Sequence, residues 1–178
     1  MTDIKASQAI LGLINPKSPD NVGSVRRAAG NYQVEKIYYT GTRYPRAVSY
    51  QARTANTHRK VSKDVSVFGV SDLIDIVPTN MKIVCIELAL DAISLPDYHH
   101  PENAFYIFGP EDGTIDQEII DKADDVVYIP TTGCMNLAAT VNVVLYDRLA
   151  KQPSKREGNE LIRKSRDRNN KLKISLWN

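Results

Sequence analysis

The chain has 178 residues, 42% hydrophobic and 25% charged, which suits one compact globular domain with a substantial core. Two cysteines, Cys85 and Cys134, are too few for a disulfide framework or a zinc cluster. No apolar run reaches the roughly 18 residues of a membrane span. Met1-Thr2-Asp3-Ile4-Lys5 lacks the basic and apolar regions of a signal peptide, so a reduced, cytoplasmic protein is expected. The net charge of +2 is uneven. Residues 151–178 hold nine Lys/Arg against three Asp/Glu, a net of +6, which leaves −4 for the first 150. Such a tail either seeks a polyanion or is simply a solvated end.

Apolar, β-branched runs alternate with helix-like segments along the chain. Ile10–Ile14 reads as a strand closed by Asn15-Pro16, followed by a helix over Val22–Asn31 and a strand over Ile37–Thr40. Val65–Phe68 reads as a strand, with Ser71 or Asp72 capping a short helix Leu73–Val77. Strands are expected at Ile83–Leu88 and Phe105–Phe108, a helix at Ile115–Ala123, a strand at Val126–Ile129 and a long helix over Met135–Ala150. The alternation predicts an α/β domain: a mostly parallel sheet with helices on both faces, ligands lying beyond the strands' carboxyl ends. Residues 1–150 form this domain and 151–178 the basic tail.

Three loops leaving strand ends hold the residues suited to chemistry. In Asp20-Asn21-Val22-Gly23-Ser24-Val25-Arg26-Arg27, Asp20 or Asn21 can cap a helix, and Arg27 lies six residues after Asn21. The adjacent arginines cannot share one helix face, so only one of them can point into a site, and a solvated helix face is the plain alternative. In Phe108-Gly109-Pro110-Glu111-Asp112-Gly113 the glycines permit close backbone approach to a ligand, and Pro110 stiffens the turn that carries Glu111. In Ile129-Pro130-Thr131-Thr132-Gly133-Cys134-Met135-Asn136-Leu137-Ala138-Ala139 a strand stops at proline and a small-residue helix begins, its N-terminal N–H groups free for a ligand.

In this order and spacing, Asn21-x-Gly23 with Arg27, Phe108-Gly109-Pro110-Glu111, and Ile129-Pro130 with Met135-Asn136-Leu137 resemble the three motifs of SpoU-type RNA ribose methyltransferases of the SPOUT superfamily. The resemblance spans Ile10 to Leu149. It implies a trefoil knot threaded by the final helix, a homodimer, and S-adenosylmethionine bound by Glu87, Gly109, Ile129 and Cys134. Where the family often has serine, this chain has Cys134. It implies transfer of a methyl group to a ribose 2′-hydroxyl of RNA, tRNA ahead of rRNA, with catalytic roles for Asn21, Arg27, Glu111 and Asn136. A guanidinium stays protonated, so Arg27 is expected as a cation for the adjacent phosphate and the developing alkoxide, not as a base. Glu111 is expected to orient Arg27 or Asn21. Asn136 either fixes the loop or touches the ribose.

After the second strand, Arg43, Tyr44, Arg46, Tyr50, Arg53, His58, Arg59 and Lys60 interleave cations with aromatics, a pattern that suits single-stranded RNA. Arg163 and Lys164 extend that expectation to the tail. His99-His100 has no cysteine or carboxylate spacing to support a metal site, and none is expected. Two rival readings stay open: a base methyltransferase of the same knotted fold, and a non-catalytic RNA-binding factor. A nicotinamide-binding domain is set aside because no Gly-x-Gly-x-x-Gly follows the first strand.

Overall fold

Alternation along the central strands sets the layers. The computed structural model describes residues 7–46, 49, 65–152 and 158–174. Seven strands, β1 (Gln8–Ile14), β2 (Lys36–Thr40), β3 (Ser66–Gly69), β4 (Lys82–Ile86), β5 (Ile93–Ser94), β6 (Asn103–Phe108) and β7 (Asp125–Tyr128), pair in the order β3-β2-β1-β6-β4-β7-β5. Every pairing is parallel. Ala9, Leu11 and Leu13 point to one core, Ile10 to the other. On the first face α1 (Pro19–Asn31) and α3 (Leu137–Lys151) pack side by side, burying Val25, Ala28, Val141 and Val144. On the second face the short α2 (Gln117–Ile120) and the irregular segment 70–81 cover Phe105, Ile107 and Cys85. A helix α4 (Asn159–Ser165) lies in the tail. Gly12 packs against the second core: a Cβ there would stand 2.7 Å from Phe105 Cε1.

The expected parallel α/β architecture is present, with local corrections. Leu73–Val77 is not a helix. Asp72 Oδ1 accepts from Ile74 N at 2.7 Å, as a cap would, but only bends and a turn follow before Pro78. The expected helix Ile115–Ala123 keeps regular α geometry only over Gln117–Ile120. The long helix starts at Leu137, because Asn136 caps it, and runs through Lys151, one residue into the supposed tail. β5 was not anticipated.

The far end of α3 is held by a buried polar cluster. Arg148, 4% exposed, donates to the carbonyls of Gln8 (3.1 Å), Pro101 (2.7 Å) and Glu102 (2.6 Å), to Ser7 Oγ, and to the Tyr106 hydroxyl (3.1 Å). Lys151 Nζ donates to the carbonyls of Leu95, Pro96 and Tyr98 and pairs with Asp147 at 2.7 Å. His100 sits between Tyr106 (2.6 Å) and Asp147 (2.9 Å). Arg148 can only donate, so the Tyr106 oxygen accepts from it and its proton goes to His100 Nδ1. Nε2–H then points to Asp147, and burial favours the neutral imidazole. His100 is therefore a core histidine.

Burial holds the His100 pKa below its ordinary value of 6.5, against the opposing pull of Asp147 and with help from Arg148 and Lys151. The unfolded chain thus takes up this proton first, so stability is full above pH 6.5 and falls as pH drops below it. We expect the unfolding midpoint of the natural chain to fall between about pH 6.5 and 5, ahead of carboxylate titration. His100→Gln should lack that component. Matching pH profiles for the two proteins would remove His100 from the effect.

Candidate functional site

In a parallel sheet all carboxyl ends share one edge, so the loops after β1, β6 and β7 meet there. β1 and β6 are neighbours, and the turn Gly109–Gly113 therefore faces residues 15–18. Glu111 spans the gap. Its Oε2 accepts from Lys17 N at 3.0 Å, and its Oε1 accepts from Ser18 N at 3.0 Å and Asn21 Nδ2 at 3.1 Å. Burial alone would raise the carboxyl's pKa; these donors outweigh it and hold the group below its ordinary value.

The chain of bonds continues. Asn21, 5% exposed, accepts through Oδ1 from Asn136 Nδ2 at 2.5 Å. Asn136 Oδ1 accepts in turn from Ala138 N (2.9 Å) and Ala139 N (3.3 Å), capping α3. Glu111, Asn21 and Asn136 thus join the three loops in one relay. The cap of α1 is Ser18, not Asp20 or Asn21: Ser18 Oγ accepts from Asn21 N at 3.3 Å, and Pro19 begins the helix. That leaves the Asn21 side chain free for the relay.

Beside the relay lies a cleft of about 170 Å³, and all four expected cofactor contacts, Glu87, Gly109, Ile129 and Cys134, line it. Glu111 lines it as well. Glu87 braces the wall: its Oε2 accepts from Ile115 N at 3.0 Å and its Oε1 from Leu88 N at 2.8 Å. A Cβ on Gly109 would meet Ile115 Cγ1 at 3.3 Å and Glu87 Oε2 at 3.4 Å, so a larger residue there disturbs that brace. Burial, with Glu87 nearby, raises the Cys85 thiol to about 12, which leaves Cys85 inert packing.

Arg27 is exposed, on the α1 stripe with Ser24 and Asn31, and does not line the cleft. Glu111 therefore orients Asn21, and the Arg27 side chain makes no hydrogen bond or ion pair among the described residues. Arg26 is half-buried and its charge acts on the buried Tyr44. Of the expected RNA contacts, Arg46 is exposed, Arg163 and Lys164 are exposed on α4 (Lys164 pairs with Glu160 at 2.6 Å), and Arg53, Arg59 and Lys60 lie outside the described residues. Arg43 is already engaged. Its Nε donates to Asn15 O at 2.8 Å and its Nη1 to Asp112 Oδ1 at 2.9 Å. Asp112, which also holds Lys17 Nζ at 2.8 Å, was not singled out from the sequence. Its partners lie 69 and 95 residues away, and the only local hint was a second carboxylate in the turn. Among the described residues no group of three or more His, Cys, Asp or Glu has the geometry of a metal site. No described helix is long and apolar enough to cross a membrane.

Residues 8–146 match the model of the SpoU rRNA Methylase family. The chain belongs to that family. A curated relative, the tRNA (cytidine-2'-O-)-methyltransferase TrmJ of Methanocaldococcus jannaschii, is 30% identical over 160 residues, 79% of this chain and 66% of that protein. Among solved structures, the SpoU methyltransferase AviRb of Streptomyces viridochromogenes, in complex with the cofactor AdoMet, has a TM-score of 0.69 at 18% identity, covering 86% of this chain and 61% of that one. A structure from work on 2-OH methylation of C/U34 on tRNA has a TM-score of 0.62 at 20% identity and covers 80% of this chain and 95% of that one. The chain thus spans just under two thirds of TrmJ and of AviRb. In this SpoU-family chain the relay joins the loops after β1, β6 and β7.

If the relay is one unit, Asn21→Ala and Asn136→Ala should not add. Losing the cap costs about 1 kcal/mol, and orphaning a buried amide about 1–3 kcal/mol. The double variant should fall short of the sum by about 0.5–3 kcal/mol in urea unfolding. Strict additivity would mean the two amides act separately.

Proposed function

We propose that the chain is an S-adenosylmethionine-dependent RNA methyltransferase acting on a ribose 2′-hydroxyl, with tRNA as its substrate class. The observation that carries this is the Glu111–Asn21–Asn136 relay holding three motif loops around one cleft. The names of TrmJ and of the C/U34 structure support the substrate class. The cleft suits the cofactor: Leu88, Ile129 and Leu137 offer apolar surface, and Gly109 leaves backbone accessible. Bound there, S-adenosylmethionine supplies a methyl group on a sulfonium.

Glu111 spends its lone pairs on three N–H donors and sits below its ordinary pKa, so it positions the loops instead of taking a proton. Arg27 remains a permanent cation open to solvent. It binds the phosphate next to the target ribose and stabilises the 2′-oxygen as that oxygen takes the methyl group from the sulfonium and gives its proton to solvent water. Because Arg27 is exposed and does not line the cleft of its own chain, a second copy belongs to the same proposal. The stripe of Ser24, Arg27 and Asn31 on α1 and the exposed Ala139, Tyr146 and Ala150 on α3 offer it a surface. The knot implied by the resemblance belongs to the proposal too, with α3 as the threaded helix and segment 95–102, which holds Arg148 and Lys151, closing over it.

The reading is tested with two variants. Gly109→Val should abolish S-adenosylmethionine binding in calorimetry while the protein stays folded. Arg27→Ala should keep that affinity and lower tRNA methylation about 10²-fold or more. Nucleosides digested from the product should carry the methyl on ribose. A methylated base, or near-wild-type turnover in Arg27→Ala, would overturn the assignment.

The tail is the second RNA contact in this proposal. Leu161 and Ile162 are exposed, and Leu172 and Ile174 stand 83% and 91% exposed, so these residues do not pack on their own domain. Each tail cation that meets a phosphate adds about 0.7–0.9 to the slope of log affinity against log salt. Because Lys151 belongs to α3, truncation should begin at residue 153. The shortened chain should bind tRNA weakly with a flatter salt slope, its cofactor affinity unchanged. Dissociation of a dimer with an unaltered slope would instead place the tail on the second copy.

A further inference from the structure

The turn Gly109–Gly113 has two sides. Gly109, Pro110, Glu111 and Gly113 line the cleft, whereas Asp112 is absent from that wall and grips other segments. Its carboxylate takes Lys17 Nζ at 2.8 Å and Arg43 Nη1 at 2.9 and 3.0 Å. Arg43 is also fixed to the end of β1, its Nε donating to Asn15 O at 2.8 Å and its backbone N to Asn15 Oδ1 at 3.2 Å. Arg43 opens a helical turn, residues 43–46, that carries the exposed Arg46.

We propose that Asp112 is a positioning residue for RNA: through Arg43 it sets the helical turn 43–46, and Arg46 with it, relative to the turn Gly109–Gly113 whose other side lines the cleft. The inference rests on the RNA-methyltransferase reading. It reassigns Arg43 from phosphate contact to strut. With Nε and Nη1 bonded to two loops, a phosphate could take only the Nη2 donors of Arg43, not its bidentate Nε or Nη1 edge, without breaking them. The bonds from Lys17 and Arg43 hold the Asp112 carboxyl down at about 2, so the strut stays charged at any working pH. Asp112 is about half exposed, and such pairs add little to global stability. What the contact provides is geometry, at the point where turn 109–113 meets the segment after β2.

The experiment compares the full chain with Asp112→Asn, Arg43→Gln and the double variant, using a pool of unmodified tRNA transcripts. RNA affinity is read by fluorescence anisotropy, turnover by methyl incorporation, and S-adenosylmethionine affinity by calorimetry. Each single variant should raise KM for RNA about fivefold with kcat within about twofold, the size expected for losing one exposed charge-assisted link. Cofactor affinity and melting temperature should hold, and the salt slope should not change. The double variant should be no worse than either single one, because both cut the same strut. Asp112→Asn with an unchanged or lower KM would mean that the freed Arg43 touches phosphate directly, and the inference falls. Additive effects, with the salt slope of Arg43→Gln reduced by about 0.7–0.9, would overturn it in the same way. A natural chain that binds the tRNA without methylating it, and loses affinity in both variants, would sink the enzymatic reading and keep this one. A natural chain with no affinity for the pool would overturn both.

Discussion

Everything at the carboxyl edge depends on one carboxylate. Glu111 reaches from the β6 loop to the β1 loop and accepts N–H groups that would otherwise be open at the start of α1. The contact exists because β1 and β6 pair in parallel, Leu13 beside Phe108, so their exits emerge next to each other. A glutamate elsewhere on the edge would not reach. Pro110, one residue before it, limits how the turn can relax, so strand register is converted directly into side-chain position. Remove the carboxylate and three donors lose their acceptor at once, one of them on a buried amide.

From that anchor the order spreads to α3, which is held at both ends by different chemistry. Its N-terminus is capped by Asn136, within the relay. Near its C-terminus Arg148 and Lys151 thread their charges among backbone carbonyls of residues 8 and 95–102. Buried cations are costly unless every donor is used, and here five carbonyls and hydroxyls surround Arg148. The middle of the helix is plain apolar packing through Val141, Val144 and Leu145. A helix fixed this way has little freedom to slide, which is what a cleft built on its first turn requires.

The sequence made the alternation and the three loops legible because both depend on local signals: apolar period, proline, and the small polar residues at strand exits. It did not show β5, since Ile93–Ser94 has no pattern of its own and becomes a strand only by lying beside β7. It misread Leu73–Val77 because four apolar residues after a capping Asp72 look like a helical face, while Pro78 stops the segment before a helix is made. Asn21, Glu111 and Asn136 stood out by residue type, and Glu111 was expected to orient Arg27 or Asn21; the second link, Asn136 to Asn21, did not show, because those partners are 115 residues apart. Arg43 shows the converse. Among arginines and tyrosines it looked like a phosphate contact, and only tertiary placement revealed the carboxylate that claims it.

The relay also explains why amides, and not charges, stand at positions 21 and 136. At one end is a carboxylate, which only accepts; at the other is a helix N-terminus, whose N–H groups only donate. A link between them must donate on one side and accept on the other. Asparagine does so, and two in series preserve the direction: Nδ2 toward Glu111, Oδ1 toward α3. Aspartate at position 21 would set acceptor against acceptor at Glu111. Lysine would have nothing with which to receive Asn136 Nδ2, and would bury a charge where Asn21 is 5% exposed. The electrostatics run the same way. The negative end lies at Glu111 and the positive end of the α3 dipole lies at Asn136, so each amide dipole is aligned with the field across it. The identity of these two residues therefore follows from what stands at either end of the relay, whatever the cleft beside it holds.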